Sequence, residues 1–197
     1  MNILRKMQNI LLGTSLLVLA YLPLYSAFGE DSNSVKGFLY FVSFLSVTFV
    51  MSIRPLADIF SKQKWLRSLV FLRKGLGVFS ASIIVGYMFG NVIDPNISYL
   101  TKLFSTSYWS LQNCALFARL GDFTGLLLLL TSNNLSIATL KGNWKLVQRL
   151  SYVYFYSGGI YEVCVFESMF AYYAMIGVTC IVVSAFFLKL LRKRFDW

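Results

Sequence analysis

The 197-residue sequence contains no histidine and few charged side chains. Charged residues make up 13% of the chain, against roughly 25% in soluble domains. So few charges cannot cover a globule in water, but they suffice where lipid covers most of the surface. The absence of histidine removes the commonest haem, copper and zinc ligand, and also the usual acid or base near neutral pH.

Sequence motifs typical of catalytic or phosphate-binding sites are missing as well. The sequence has no glycine-rich phosphate loop, no paired carboxylates and no serine, cysteine or lysine set beside a base. We therefore expect no enzyme, no catalytic residue and no metal site. The cysteines Cys114, Cys164 and Cys180 are widely spaced and fit no ligand motif, so we interpret them as free buried thiols.

The chain is rich instead in hydrophobic residues, at 57%. The sequence predicts an all-α polytopic membrane protein, a single transmembrane domain over residues 1–197 with about six helices in a bundle. The first apolar stretch resembles a signal peptide but is long enough to span, so we expect an uncleaved first helix. The predicted spans are approximately 9–28, 37–53, 75–93, 117–132, 148–164 and 169–191.

Loop charges predict the orientation. If the N-terminus lies inside, every basic residue except Lys36, Lys102 and Arg119 falls on the inner side, whereas most acidic residues fall outside. We therefore expect both termini in the cytoplasm of a bacterial inner membrane, with an organellar membrane as the alternative. The basic residues lie between apolar runs rather than in one patch, which argues against a nucleic-acid partner.

Two loops carry further patterns. Pro55 is expected to end the second span. Residues 56–72 then alternate apolar and basic side chains at helical spacing, which predicts an amphipathic helix in the inner membrane interface. In the outer loop, the aromatic residues Tyr99, Tyr108 and Trp109 are expected to anchor at headgroup depth.

Polar side chains at membrane depth are costly and often functional. Arg119 and Asp122 lie three residues apart, on one helix face, and we interpret them as an ion pair near the outer surface. Asn91 and Gln148 are further candidates. These residues outline no transport path, and the matched broken helices of inverted-repeat transporters are missing from the sequence.

Five short stretches stand in a characteristic order: Arg54–Leu56, Trp65–Arg67, Leu72–Gly77, Gly125–Asn133 and Trp144–Tyr152. Together they resemble the ferric-reductase-like transmembrane domain family, nearest the MsrQ/YedZ branch of haem-binding membrane subunits. That branch has patterns such as TPLR, RRxLGL, a leucine run into LTS, and WxxLHRLxY. The resemblance covers roughly residues 40–165 and includes the layout of six spans with both ends inside.

The resemblance implies a scaffold that holds b-type haem between helices through histidine pairs. In the MsrQ branch it passes electrons from a quinone or flavin partner to a periplasmic methionine sulfoxide reductase. The positions that match the family's haem ligands are Tyr87, Gln148 and Tyr161. Low-spin haem needs two strong axial ligands, usually imidazole or thioether, so we expect haem to be absent and no cofactor to bind.

The space of the missing haem has alternative occupants. We expect large side chains to fill it, namely those of Tyr87, Tyr152, Tyr154, Phe155, Tyr156 and Tyr161. The alternatives are a lipid, a quinone or a chlorin, whose magnesium accepts weak oxygen donors. Haem held by unorthodox ligands, such as Met88 beside the vacated position, is a further alternative.

The leading functional hypothesis is a non-catalytic, haem-free subunit, a structural or assembly component of a larger membrane complex such as an electron-transport complex. Its partners would be other integral membrane subunits and lipids. The alternatives are a transmembrane electron-transfer protein with unorthodox haem ligation and a small transporter or channel. A reductase working with a separate flavoprotein fails without haem, because electrons would have no relay through about 30 Å of hydrocarbon.

Overall fold

The structure is a computed structural model that describes residues 2–29, 33–94, 99–111 and 114–195. These residues form an all-α fold, as predicted, without a β-strand among them. The α-helices are α1 (Asn2–Phe28), α2 (Asn33–Ile59), α3 (Lys64–Leu69), α4 (Arg73–Ile93), α5 (Tyr99–Leu103), α6 (Ala115–Thr131), α7 (Asn134–Leu140), α8 (Trp144–Gln148), α9 (Leu150–Phe166) and α10 (Met169–Phe195).

Four helical segments are long and apolar enough to cross a membrane, namely Ile3–Phe28, Ser34–Ile59, Lys64–Ile93 and Met169–Leu191. The third of them joins α3 to α4 through a short 3-10 turn. The chain is therefore an integral membrane protein, as the composition predicts. Helices α6 and α9, with 17 residues each, are shorter than these four.

Helix α4 lies at the centre of the bundle. It contacts α1, α2 and α6, while α9 contacts α2, α6 and α10. In an apolar stretch of 18 residues within the segment that contains α4, 50% of the residues are buried. The corresponding fractions are 17% in α1 and 6% in α10. Helices α1 and α10 are thus peripheral, and most of their large side chains face outwards.

Close packing of α1 against α4 depends on small residues of α4. Ser82, Gly86 and Gly90 recur every four residues and form one face, the spacing that lets helices in membranes approach closely. A Cβ atom at Gly90 would collide with the side chain of Ser26 and lie 3.1 Å from the carbonyl oxygen of Pro23. At Gly86 it would lie 3.0 Å from Leu22 Cδ2. Only glycine fits this approach without a shift of α1.

A chain of buried hydrogen bonds joins α2, α4 and α9. The hydroxyls of Ser43 and Ser80 lie 2.9 Å apart, and Ser80 Oγ lies 3.0 Å from Tyr154 Oη. Ser43 also donates to the Ser80 carbonyl oxygen at 3.1 Å. The three side chains are almost fully buried. Hydrocarbon offers no partner for such groups. These hydrogen bonds therefore fix how the three helices face one another.

The prediction that Pro55 ends the second span is wrong. Pro55 lies inside α2, which continues to Ile59. A proline leaves the carbonyl four residues earlier, here that of Met51, without its helical donor. Arg73 Nε donates to the neighbouring carbonyl oxygen of Val50 at 3.0 Å. A side chain of α4 thus supplies a polar contact where the proline weakens α2.

The single interfacial helix predicted over residues 56–72 is also wrong. The first residues of this segment complete α2, residues 60–63 form a turn, and the rest leads through α3 into α4. The helix breaks because Gln63 has an extended backbone. The segment still buries one of its faces, as an amphipathic helix would, because Leu66 and Leu72 are buried against the bundle.

Two cysteines form a disulfide, contrary to the prediction of three free buried thiols. Cys114, just before α6, bonds to Cys164 in the last turn of α9. Cys180 is free, as predicted, but exposed. Helices α6 and α9 pack side by side, which brings residues 50 positions apart in sequence together. We call this end of the bundle the disulfide end.

The Gly90→Ala substitution is expected to lower the free energy of unfolding by about 1–3 kcal/mol, because the added methyl group forces α1 away from α4. Thermal unfolding in mild detergent measures the change. Gly77→Ala is the matched control in the same helix, since a Cβ there meets nothing within 4 Å. It is expected to be neutral or to stabilise by up to about 1 kcal/mol. Equal effects at both positions would contradict close packing at Gly90.

Candidate functional site

A cavity lies between α2, α6 and α9 near the disulfide end. It offers about 40 Å³ to the centres of water-sized molecules, enough for a few of them. Most of its wall is apolar or aromatic, with Tyr40 and Phe44 contributed by α2 and Tyr161 by α9. Two carboxylates also line it, Asp122 from α6 and Glu162 from α9. We call it the carboxylate cavity.

Asp122 belongs to a buried three-residue network. Its Oδ2 atom lies 2.5 Å from Nη1 of Arg119, and Tyr99 donates its hydroxyl to the same oxygen at 3.2 Å. Arg119 Nη1 also donates to Tyr99 Oη at 2.9 Å. The predicted ion pair is therefore confirmed. It is more deeply buried than an interfacial pair, because Asp122 is only 8% exposed.

The aromatic side chains of the outer loop serve different roles. Tyr99 was expected at headgroup depth, but it is 3% exposed because its hydroxyl joins the network and the Arg119 guanidinium lies over its ring, 5.1 Å from the centroid. Trp109 is 40% exposed and stacks on Phe123, which fits the predicted anchor. The side chain of Tyr108 lies outside the described residues.

Glu162 is the functional candidate that the sequence did not single out. Its side chain is 4% exposed, and its Oε1 atom has no hydrogen-bond partner among the described residues. Its spacing from other residues of α9 could have revealed it in the sequence. Phe155 and Gly159, seven and three residues earlier, are buried on the same face of α9. A glutamate in register with such residues points into the bundle.

Two of the three positions that match haem ligands are brought together. Tyr87 is 1% exposed and stacks on Tyr40, with 5.3 Å between the ring centroids. Tyr161 contacts the same Tyr40 ring at 5.8 Å. The Tyr40 ring therefore contacts both, and Lys36 Nζ lies 5.6 Å from the centroid of the Tyr87 ring.

The third position, Gln148, lies apart from the other two. It ends α8, directly before α9, whereas Tyr161 is thirteen residues further along, about 20 Å at helical rise. Its Nε2 atom is buried without a hydrogen-bond partner among the described residues. Asn91 is half-buried in the last turns of α4 and does not line the carboxylate cavity.

The six aromatic side chains that we expected to fill the space of a haem differ in their burial. Tyr87, Tyr154 and Phe155 are buried in the core. Tyr152 is 42% exposed, so the expectation is wrong there. Tyr156 is half-buried and shares a hydrogen bond with Thr179 of α10 at 2.6 Å. Because α9 presents different faces to α2 and to α10, consecutive aromatic residues cannot all face one space.

The chemistry of the cavity wall is that of carboxylates and aromatic rings. Within the described residues, no three histidine, cysteine or acidic side chains are grouped as a metal site would require. The Asp122 carboxylate is neutralised by Arg119, and no nucleophile with an adjacent base lines the cavity. A buried carboxylate beside aromatic rings can hold a small hydrogen-bond donor or cation.

Comparison with known proteins does not add a family assignment. No protein-family model, curated protein or solved structure matches the chain.

Arg119→Met is expected to lower the free energy of unfolding by about 3 kcal/mol, because it leaves the buried Asp122 carboxylate without its ion pair. Thermal unfolding in detergent is again the measurement. The control is Lys102→Met, which removes an exposed cation from α5 and should change little. Adding Asp122→Asn to Arg119→Met should restore part of the loss. No recovery in that double variant would contradict the assignment of the loss to an unpaired carboxylate.

Proposed function

We propose that the chain is a haem-free, non-catalytic subunit of the ferric-reductase-like kind, which acts as a structural or assembly component of a larger membrane complex. Its partners would be other integral membrane subunits, lipids would cover the remaining apolar surface, and nucleic acid would have no role. The proposal fits a chain whose chemistry-bearing residues are few and whose peripheral helices present apolar side chains outwards.

The proposal includes six membrane spans, with α6 and α9 as the fifth and sixth members of the bundle beside the four long segments. At 17 residues each they are about 25 Å long. Spans of this length are tolerated where neighbouring protein, rather than lipid, surrounds their ends. Both termini would lie inside, which would place the Cys114–Cys164 disulfide on the outer, oxidising side of a bacterial inner membrane.

The packing of Tyr87 is the main support for the proposal that no haem is bound. Its ring is 1% exposed and stacked on Tyr40, where a haem-binding relative would need an open face for the macrocycle. Ile83 and Leu22 complete the same cluster. The Tyr87 side chain thus contributes to packing, whereas an axial ligand of haem would have to reach the iron. This favours side-chain filling over a quinone, a chlorin or an unorthodox haem.

Tyr87→Phe is expected to cost about 1 kcal/mol or less, whereas Tyr87→Ala should cost about 3–5 kcal/mol through the cavity that it leaves. Unfolding of both variants in detergent measures the difference. A ligand role predicts another result, in which Tyr87→Phe and Tyr87→Ala both abolish a visible absorption band of the wild-type protein. Such a band, with one haem per chain, would establish the electron-transfer alternative and overturn the haem-free proposal.

The structural role is tested by the protein's neighbours in its own membrane. After chemical cross-linking of native membranes and mild solubilisation, we expect the chain to migrate on a native gel with other integral membrane proteins. Mass spectrometry of the cross-links should place them on exposed lysines at helix ends, such as Lys64 and Lys74. A stable, solitary monomer under the same conditions would contradict a subunit role and favour a small transporter or channel.

A further inference from the structure

The carboxylate cavity contains one acidic side chain, Glu162, that pairs with no cation among the described residues. Asp122 is paired with Arg119 and bonded to Tyr99. Glu162 projects from the facing helix, and its Oε1 atom has no hydrogen-bond partner among the described residues. The ionised form of a carboxyl group in such a position needs a donor or a cation, because an unpaired buried charge carries a large desolvation cost.

Two hydroxyl groups of the cavity wall are already engaged in hydrogen bonds. The hydroxyls of Ser43 and Tyr154 line the cavity, but both bond to Ser80. The nearby ammonium of Lys36 lies over the Tyr87 ring. A ligand in the cavity would therefore find an available acceptor in Glu162 Oε1.

The rest of the wall favours a particular kind of ligand. The rings of Tyr40, Phe44 and Tyr161 line the cavity, and aromatic faces attract cations, most strongly where water is scarce. The cavity, with about 40 Å³ for the centres of water-sized molecules, has room for a compact ion. An ammonium group also supplies the N–H donors that a carboxylate oxygen accepts.

We propose that the carboxylate cavity binds a small ammonium-type cation, the ammonium ion or methylammonium, with Glu162 as the anionic partner and the aromatic rings as its walls. The site is independent of the absence of haem and of any partner subunit, and thus goes beyond the proposed structural role. Glu162 accepts the N–H bonds, and Asp122 with Arg119 stays as a neutral pair bonded to Tyr99.

The test is equilibrium dialysis of radiolabelled methylammonium against the full-length protein in phosphatidylcholine nanodiscs at fixed ionic strength. We expect saturable binding that approaches one ion per chain. Glu162→Gln, which keeps the side-chain shape but removes the charge, should weaken it at least tenfold. The matched control is Glu167→Gln, which removes an exposed charge five residues away at the end of α9 and should bind as the wild type does.

A second variant guards against misfolding of Glu162→Gln. Gly158 also lines the cavity, and a Cβ there would meet only Phe44, at 3.9 Å, so Gly158→Ala should fold normally while it narrows the site and weakens binding. The proposal is overturned by non-saturable binding to the wild type, by equal binding to Glu162→Gln and Glu167→Gln, or by undiminished binding to Gly158→Ala. Competition by potassium as effective as that by unlabelled methylammonium would overturn the assignment of an N–H-donating ion.

Discussion

Inside hydrocarbon, a polar group has to find its partner within the protein, and this constraint organises the bundle around α4. The hydroxyls of Ser43, Ser80 and Tyr154 satisfy one another across α2, α4 and α9. Since each of them would otherwise be buried unpaired, these bonds restrict the rotation of α2, α4 and α9 about their own axes. On its other side, α4 has small residues that allow α1 to pack closely against it. One helix thus holds its neighbours by two different means.

This packing leaves little empty space in the centre. The tyrosines at two positions that match haem ligands contact a common ring, Tyr40, which also lines the small carboxylate cavity. The same packing brings Glu162 close to the aromatic wall of α2. We propose that side-chain packing and a compact ion take the place that a large planar ligand occupies in a haem-binding scaffold.

Hydropathy predicted the helices well, because each span is a property of about twenty consecutive residues. The segments 117–132 and 169–191, for example, correspond to α6 and α10 within a few residues. Features that depend on distant parts of the chain could not be predicted in this way. The Cys114–Cys164 bond needs α6 beside α9, and the helix through Pro55 has a contact from Arg73 beside it. The burial of Tyr99 similarly follows from a network completed by α6. Glu162 lies between these cases, since the register of α9 indicates an inward direction but only the neighbouring helices define its surroundings.

The glycine face of α4 has a consequence for biogenesis. Helix α1 is synthesised first, yet its main contact is with α4, which leaves the ribosome only after α2 and α3. During that interval the surface of α1 that will meet Gly86 and Gly90 is covered by lipid or by the insertion machinery. The arrival of α4 completes two interfaces at once, with α1 on one side and α2 on the other. The interfaces of α4 with α1 and α2 can therefore form only after the third long segment has been synthesised.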